Sequence, residues 1–160
     1  MERTLAISLI QMLWDRAETN GYAQHITSDP YPDTPEHRIL MHVAVGDHQV
    51  STTAAEVMAR TIGARLHQPA LADDRLPPGA AFWEIPAIEE YPFDGSAIVF
   101  WDSGAPLPPL ENSAPREGTD PHEDPRADPD ARRQKDAFLS SDGAVIDACD
   151  AAPCTAEPVD

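Results

Sequence analysis

The chain has 160 residues and carries 28 acidic against 11 basic side chains, a formal net charge of −17 with histidine neutral. A polyanion of this kind is repelled by nucleic acid and by anionic membrane surfaces, so neither is expected as a partner. The length suits one domain with its own core, while 17 prolines leave little room for long regular elements.

In chain order, the first candidate element is residues 5–14, LAISLIQMLW. Leu5, Leu9, Met12 and Leu13 fall on one helical face, with Ile10, Trp14 and Ala17 beside it. A helix apolar over most of its circumference is buried on two sides or pairs with another chain. At a chain start fraying is usual, so this helix is expected to have a further segment before it. It does not read as an export signal, because the run is short, is interrupted by Ser8 and Gln11, and precedes no small-x-small cleavage site. The compartment is therefore open beyond the expectation that the chain is cytoplasmic as expressed. No stretch approaches the ~20 apolar residues of a membrane span.

Residues 18–37 read as a connection broken by Gly21, Pro30, Pro32 and Pro35. Ile39 to Val45 is then apolar or small except for His42, the pattern of a strand covered on both faces. Gly46-Asp47 ends it. Thr53 and Glu56 have capping-box spacing, and Ala54, Val57, Met58, Thr61 and Ile62 recur with helical period up to a terminating Gly63. Residues 67–81, with Pro69, Pro77, Pro78 and Gly79, form a loop. Phe82–Ile85 and Ala97–Trp101 allow a hairpin around a wide loop. The preferred arrangement admits only Ala97–Trp101 to the main sheet, parallel to Ile39–Val45, with the helix crossing between them.

Residues 103–127 lack any periodicity, which marks a functional or disordered loop. Asp128-Pro129 is an N-cap with proline at the first helical position. Ala131, Gln134, Lys135 and Phe138, with Leu139 beside them, continue a helix expected to end at Gly143, before an edge segment at Ala144–Ile146. Residues 111–160 are rich in Asp, Glu and Pro and read as largely solvated. Within them, 147–160 is set apart as an acidic tail from a domain at 1–146. Cys149 and Cys154 fit a small disulfide loop, two thiols or loose metal contacts; a zinc pattern would need a second Cys or His pair nearby.

The chemistry gathers where parallel strands end. Ligand sites of open parallel sheets lie at the carboxyl ends of the strands. Asp47 follows one strand, and the loop after Trp101 carries His122 in Asp120-Pro121-His122-Glu123-Asp124-Pro125-Arg126. A carboxylate can accept the Nδ1–H of a histidine, fix its tautomer and stabilise the imidazolium, leaving Nε2 to take a proton from a hydroxyl. Asp47 can equally serve only to shape its turn, His42 reads as a core or interface residue, and His48 as a solvent-facing turn residue. Trp83, Trp101, Phe82 and Phe100 read as core or interface.

With these residues in view, the chain resembles the C-terminal part of an α/β-hydrolase of the serine esterase and lipase kind. The likeness covers about residues 1–146 and rests on Ile39–Val45 followed by Gly46-Asp47-His48-Gln49-Val50, the helix Thr53–Ile62, the strand Ala97–Trp101, and His122 ahead of a helix ending in Phe138-Leu139. The resemblance implies a partial α/β-hydrolase-like parallel sheet of two to three strands with flanking helices. It also implies Asp47 as triad acid and His122 as triad base. The nucleophile-elbow half has no counterpart: Ser8 and Ser28 are the only serines ahead of Asp47, and neither has flanking glycines.

The implied activity is hydrolysis of a small carboxylic ester or lactone with no cofactor or bound metal, the nucleophile being a serine outside the usual elbow or a water. A two-stranded parallel sheet leaves its edges unsatisfied, so homo-oligomerisation through the first helix and the strand edges is expected. One alternative is a non-catalytic, truncated hydrolase fragment that folds as a homo-oligomer. A second is an acidic protein that binds a hard cation through Asp120, His122, Glu123, Asp124, Asp128 and Asp130.

Overall fold

The structure, a computed structural model, describes residues 2–77, 79, 82–111, 113 and 115–159. Pro78, assigned above to a loop, lies outside them. Its elements are α1 (Glu2–Trp14), α2 (Gln24–Thr27), β1 (Leu40–Ala44), α3 (Thr52–Thr61), β2 (Arg65–Leu66), β3 (Ala97–Asp102), α4 (Asp124–Ala127), α5 (Pro129–Leu139) and β4 (Cys154–Thr155), with short 3-10 turns between some of them.

β3 is the strand on which the others are registered. Its AIVFWD sequence is β-branched and aromatic, and its first five residues are buried. β1 lies parallel along one edge, from Leu40 opposite Ala97 to Ala44 opposite Trp101. β2 and β4 share the other edge, β2 beside Ala97–Ile98 and β4 beside Trp101–Asp102, both parallel. The result is a small open parallel sheet of four strands with flanking helices, an α/β arrangement.

The sheet has one strand more than the upper end of the expected two to three, and β2 and β4 lie in segments not expected to form strands, each for a physical reason. β2 has two residues, too few to show a period, yet it places β3 between β1 and β2 in the sheet. β4 sits inside the acidic 147–160 segment, where Ala148, Cys154 and Ala156 are buried against Val99, Trp101 and Ala131. Average composition hides small apolar residues interleaved with acids, so Cys154–Thr155 of the segment set apart above as an acidic tail joins the sheet, while Asp150–Ala152 and Glu157–Val159 are exposed. Phe82–Ile85 forms no strand; Phe82 and Glu84 have φ of 58° and 56° in consecutive turns.

Each face of the sheet has its own cover. Val43, Val45, Ile98 and Phe100 pack with Ala55, Ala59 and Ile62 of the α3 segment. The helical period there is as expected, but its phase differs. Ala54 and Val57 face solvent while the alanines Ala55 and Ala59 lie against the sheet, where small side chains allow close approach. The expected Thr53–Glu56 capping box is not formed: α3 begins at Thr52 after Ser51, with no side-chain cap. Gly63, at φ +67°, follows the helix as its turn requires. On the other face, Asp128 caps α5 by accepting from the amides of Asp130 and Ala131, and Ala131 and Gln134 are buried. α5 stops at Leu139 and does not reach Gly143.

His42 of β1 points into this second layer. Gln134 donates through Nε2 to the Ile146 carbonyl at 2.7 Å, so its Oε1 accepts the His42 Nε2–H, also at 2.7 Å. His42 Nδ1 and Trp101 Nε1 are buried without partners among the described residues. Burial holds the His42 pKa down to about 4, against the opposing pull of the Gln134 hydrogen bond. In the unfolded chain a histidine titrates near ~6.5. The neutral ring therefore favours folding above that pH, and the contribution is lost as pH falls from 6.5 toward 4, by about 3 kcal/mol. Urea midpoints across this range should fall more steeply for the wild type than for His42→Leu; parallel curves would contradict the assignment.

Candidate active site

The site is built where β1 ends. Gly46 takes φ +84°, and a Cβ there would lie 2.5 Å from the Pro106 carbonyl oxygen, so only glycine lets the loop after β3 close on this turn. The next residue, Asp47, is 7% exposed. Its two oxygens divide the work. Oδ1 accepts the backbone N–H of Gln49 at 2.7 Å and of Val50 at 2.9 Å, which fixes the turn into α3. Oδ2 accepts Nδ1–H of His122 at 2.8 Å, across 75 positions of sequence. The two roles considered for Asp47, turn former and partner of a histidine, are thus held by one carboxylate.

His122 lies in a 3-10 turn, Pro121–Glu123, entered through Asp120. Asp120 Oδ1 accepts from the amides of His122 at 3.2 Å and His48 at 3.1 Å, and its Oδ2 accepts from Gln49 Nε2 at 3.0 Å. One carboxylate therefore laces the His122 loop to the Asp47 turn. Burial pushes the Asp120 carboxyl up, but the combined bonds from the Gln49 side chain and the two amides outweigh it and leave it below the ordinary range.

The far nitrogen of the ring is also engaged. Arg126 Nη2 lies 3.2 Å from His122 Nε2. A guanidinium only donates, so Nε2 is the acceptor and the ring is neutral with its proton on Nδ1. Arg126 in turn pairs with Glu123 at 2.7 Å. Among the described residues no hydroxyl is hydrogen-bonded to His122 Nε2. Ser8 bonds the Thr4 carbonyl within α1, and Ser96 accepts from the Ile39 amide at the opposite end of the strands.

An open cleft of about 480 Å³ adjoins Asp47 and is lined by Gln49, Ser51, Thr53, Leu110 and Ser113, among others. A larger one, about 940 Å³, lies by Thr27, Arg38, Ser96 and Gly143, at the amino ends of β1 and β3. Parallel sheets present their ligand-binding loops at the carboxyl ends, where the smaller cleft lies; it reaches Asp47, while His122 and Arg126 are not among the residues that line it.

The acidic residues considered for a cation do not converge. Asp120 faces the Asp47 turn, Glu123 pairs with Arg126, and Asp124 accepts the Val159 amide. Asp128 caps α5, and Asp130 pairs with Arg133 at 2.9 Å. The lacing by Asp120 and the placement of Arg126 are the two features of the site that the sequence reading did not assign. Arg126 stands four residues after His122, which on a helical turn brings side chains together.

Among the described residues, one strand edge is unpaired and one helix is exposed along its length. β1 bonds to β3 through the backbone groups of alternate residues, as in Val45 N–H to the Trp101 carbonyl and Ala97 N–H to the Ile39 carbonyl. The backbone groups of Leu40, His42 and Ala44 face the outer edge, where no strand pairs among the described residues. α1 has no buried residue, and Leu5, Ile7, Leu9, Ile10, Met12, Leu13 and Trp14 are each more than half exposed.

Comparison with protein-family models, with curated proteins and with solved structures finds no match to any of them.

Proposed function

We propose that Asp47 and His122 are the acid and base of a hydrolytic site for a small carboxylic ester or lactone, in a chain of α/β-hydrolase ancestry. The observation that carries this reading is the Asp47 Oδ2 to His122 Nδ1 bond of 2.8 Å. It leaves Nε2 as the proton acceptor, at the carboxyl ends of two adjacent parallel strands. The order of parts supports the ancestry: an acid after one strand, a helix, a neighbouring strand, then a histidine before the last helix. In this mechanism Arg126 swings off Nε2 when substrate enters. Nε2 then takes a proton from the attacking water or serine hydroxyl, and Asp47 stabilises the imidazolium.

Hydrolysis of p-nitrophenyl esters of several chain lengths tests the proposal. His122→Ala is expected to lower kcat/KM by about 10²–10⁴-fold, the usual weight of a general base, and Asp47→Asn to follow it. Equal rates in wild type and both variants would remove the pair from the chemistry.

A second reading is that the chain is a non-catalytic fragment that folds as a homo-oligomer. It is favoured by the exposed apolar face of α1 and the open edge of β1. Exposed apolar patches of this extent usually mark contact surfaces, and an unpaired strand edge is a template for another strand. Light scattering should return a mass of at least two chains, reduced to one by Leu9→Glu with Leu13→Glu. A wild-type monomer with a cooperative melt would contradict self-association.

A further inference from the structure

β2 and β4 occupy successive stretches of the same edge of β3, and His67 fills the break between them, its amide bonded to the Ile98 carbonyl at 3.0 Å. Its side chain is fully buried. His67 Nε2 lies 3.0 Å from the Ala152 carbonyl, which only accepts, so Nε2 carries the proton. Nδ1 then accepts the hydroxyl proton of Tyr91 at 2.7 Å. Ala152 belongs to the loop closed by the Cys149–Cys154 disulfide. The two sulfurs and a ring nitrogen all lie within 4.8 Å of one another.

We propose that this corner is a redox-gated site for Zn(II), in which reduced Cys149 and Cys154 and the His67 ring supply three ligands and water the fourth. Two thiolates and an imidazole form a soft set that suits zinc and disfavours calcium or magnesium. Tetrahedral zinc holds such ligand atoms roughly 3.5–3.8 Å apart, so once the disulfide is reduced the two sulfurs must move apart by almost 2 Å while the ring nitrogen closes on them by about 1 Å.

The chemistry balances with a dithiol as reductant. It delivers two electrons and two protons, the Cys149–Cys154 S–S bond breaks to two thiols, and the reagent leaves as its own disulfide. Zinc then replaces the two thiol protons, which pass to solvent. Opening the loop frees the Ala152 carbonyl from His67 and exposes Nε2 as a ligand. The ring proton moves to Nδ1, where Tyr91 Oη, until then a donor, accepts it as the outer-shell partner that fixes the ring. In the oxidised chain the sulfurs are bonded to each other and the site is closed.

The test uses the full chain, reduced with dithiothreitol and desalted under argon, then titrated with Co(II) followed by Zn(II). Expected is one Co(II) per reduced chain, with thiolate charge-transfer and tetrahedral ligand-field bands, displaced by Zn(II) and lacking in the oxidised chain. Cys149→Ser should abolish it. Tyr91→Phe, which keeps all three ligands, should weaken it about tenfold. Uptake that is unchanged in His67→Ala, no uptake by the reduced wild type, or uptake only by a chain that circular dichroism shows to be unfolded would each overturn the proposal.

Discussion

Asp47→Ala is expected to lower the free energy of unfolding by about 2–3 kcal/mol, because it removes an ionised acceptor that serves three donors at a nearly buried position. The two turn amides are near solvent and can find water. His122 Nδ1–H loses its partner beneath the loop, and that loss carries most of the effect. Asp47→Asn is expected to cost less, about 1–2 kcal/mol, with a different chemical consequence. Its amide oxygen can still accept from Gln49 and Val50, which turns its NH₂ toward His122. The ring must then offer Nδ1 as acceptor and carry its proton on Nε2, where the Arg126 guanidinium donates. Two donors cannot share that contact, so Arg126 moves away. Urea unfolding of the three proteins checks the ordering; an Asp47→Ala midpoint equal to wild type would show that the carboxylate holds nothing.

The second large effect is expected at the centre of the sheet. Phe100 is 2% exposed, packs in the cluster of Val45, Ile62, Leu71 and Ile98, and has its ring centroid 4.7 Å from that of Phe82. Phe100→Ala should cost about 3–5 kcal/mol, the transfer of a phenyl ring plus the cavity it leaves. Set against the about 5–15 kcal/mol typical of a domain, that leaves a marginal fold. Thermal melts should show a large drop in Tm with cooperativity preserved. A change below about 1 kcal/mol would mean that the α3 face of the sheet is not a close-packed core.

The parts of this molecule that sequence could disclose are those whose signal is local. Ile39 to Val45 and Ala97 to Trp101 are apolar runs bounded by Gly46-Asp47 and by Asp94-Gly95, and both hold strands in the parallel pairing expected. Asp128-Pro129 announces α5 through cap chemistry that needs only adjacent residues. The closeness of Asp47 and His122 was also legible, because two parallel neighbours deliver their following loops to the same end of a sheet. The illegible parts depend on distant partners or on small residues. The phase of α3 is decided by the close fit of Ala55 and Ala59, which hydrophobicity ranks below Val57. β2 and β4 exist because β3 has a second edge to satisfy, a requirement invisible within Arg65-Leu66 or Cys154-Thr155. Arg126 reaches His122 Nε2 only once His122 has been seated by Asp120.

The Asp47–His122 pair depends on where one proton sits. Long-range ¹H–¹⁵N correlation spectra of the histidine rings, recorded at about pH 8, where an ordinary imidazole is neutral, read this directly. For His122 the wild type should show the proton on Nδ1 with a strongly downfield, slowly exchanging resonance, and Asp47→Asn should show it on Nε2. A wild-type His122 that carries its proton on Nε2, or averages rapidly between the two nitrogens, would contradict the account.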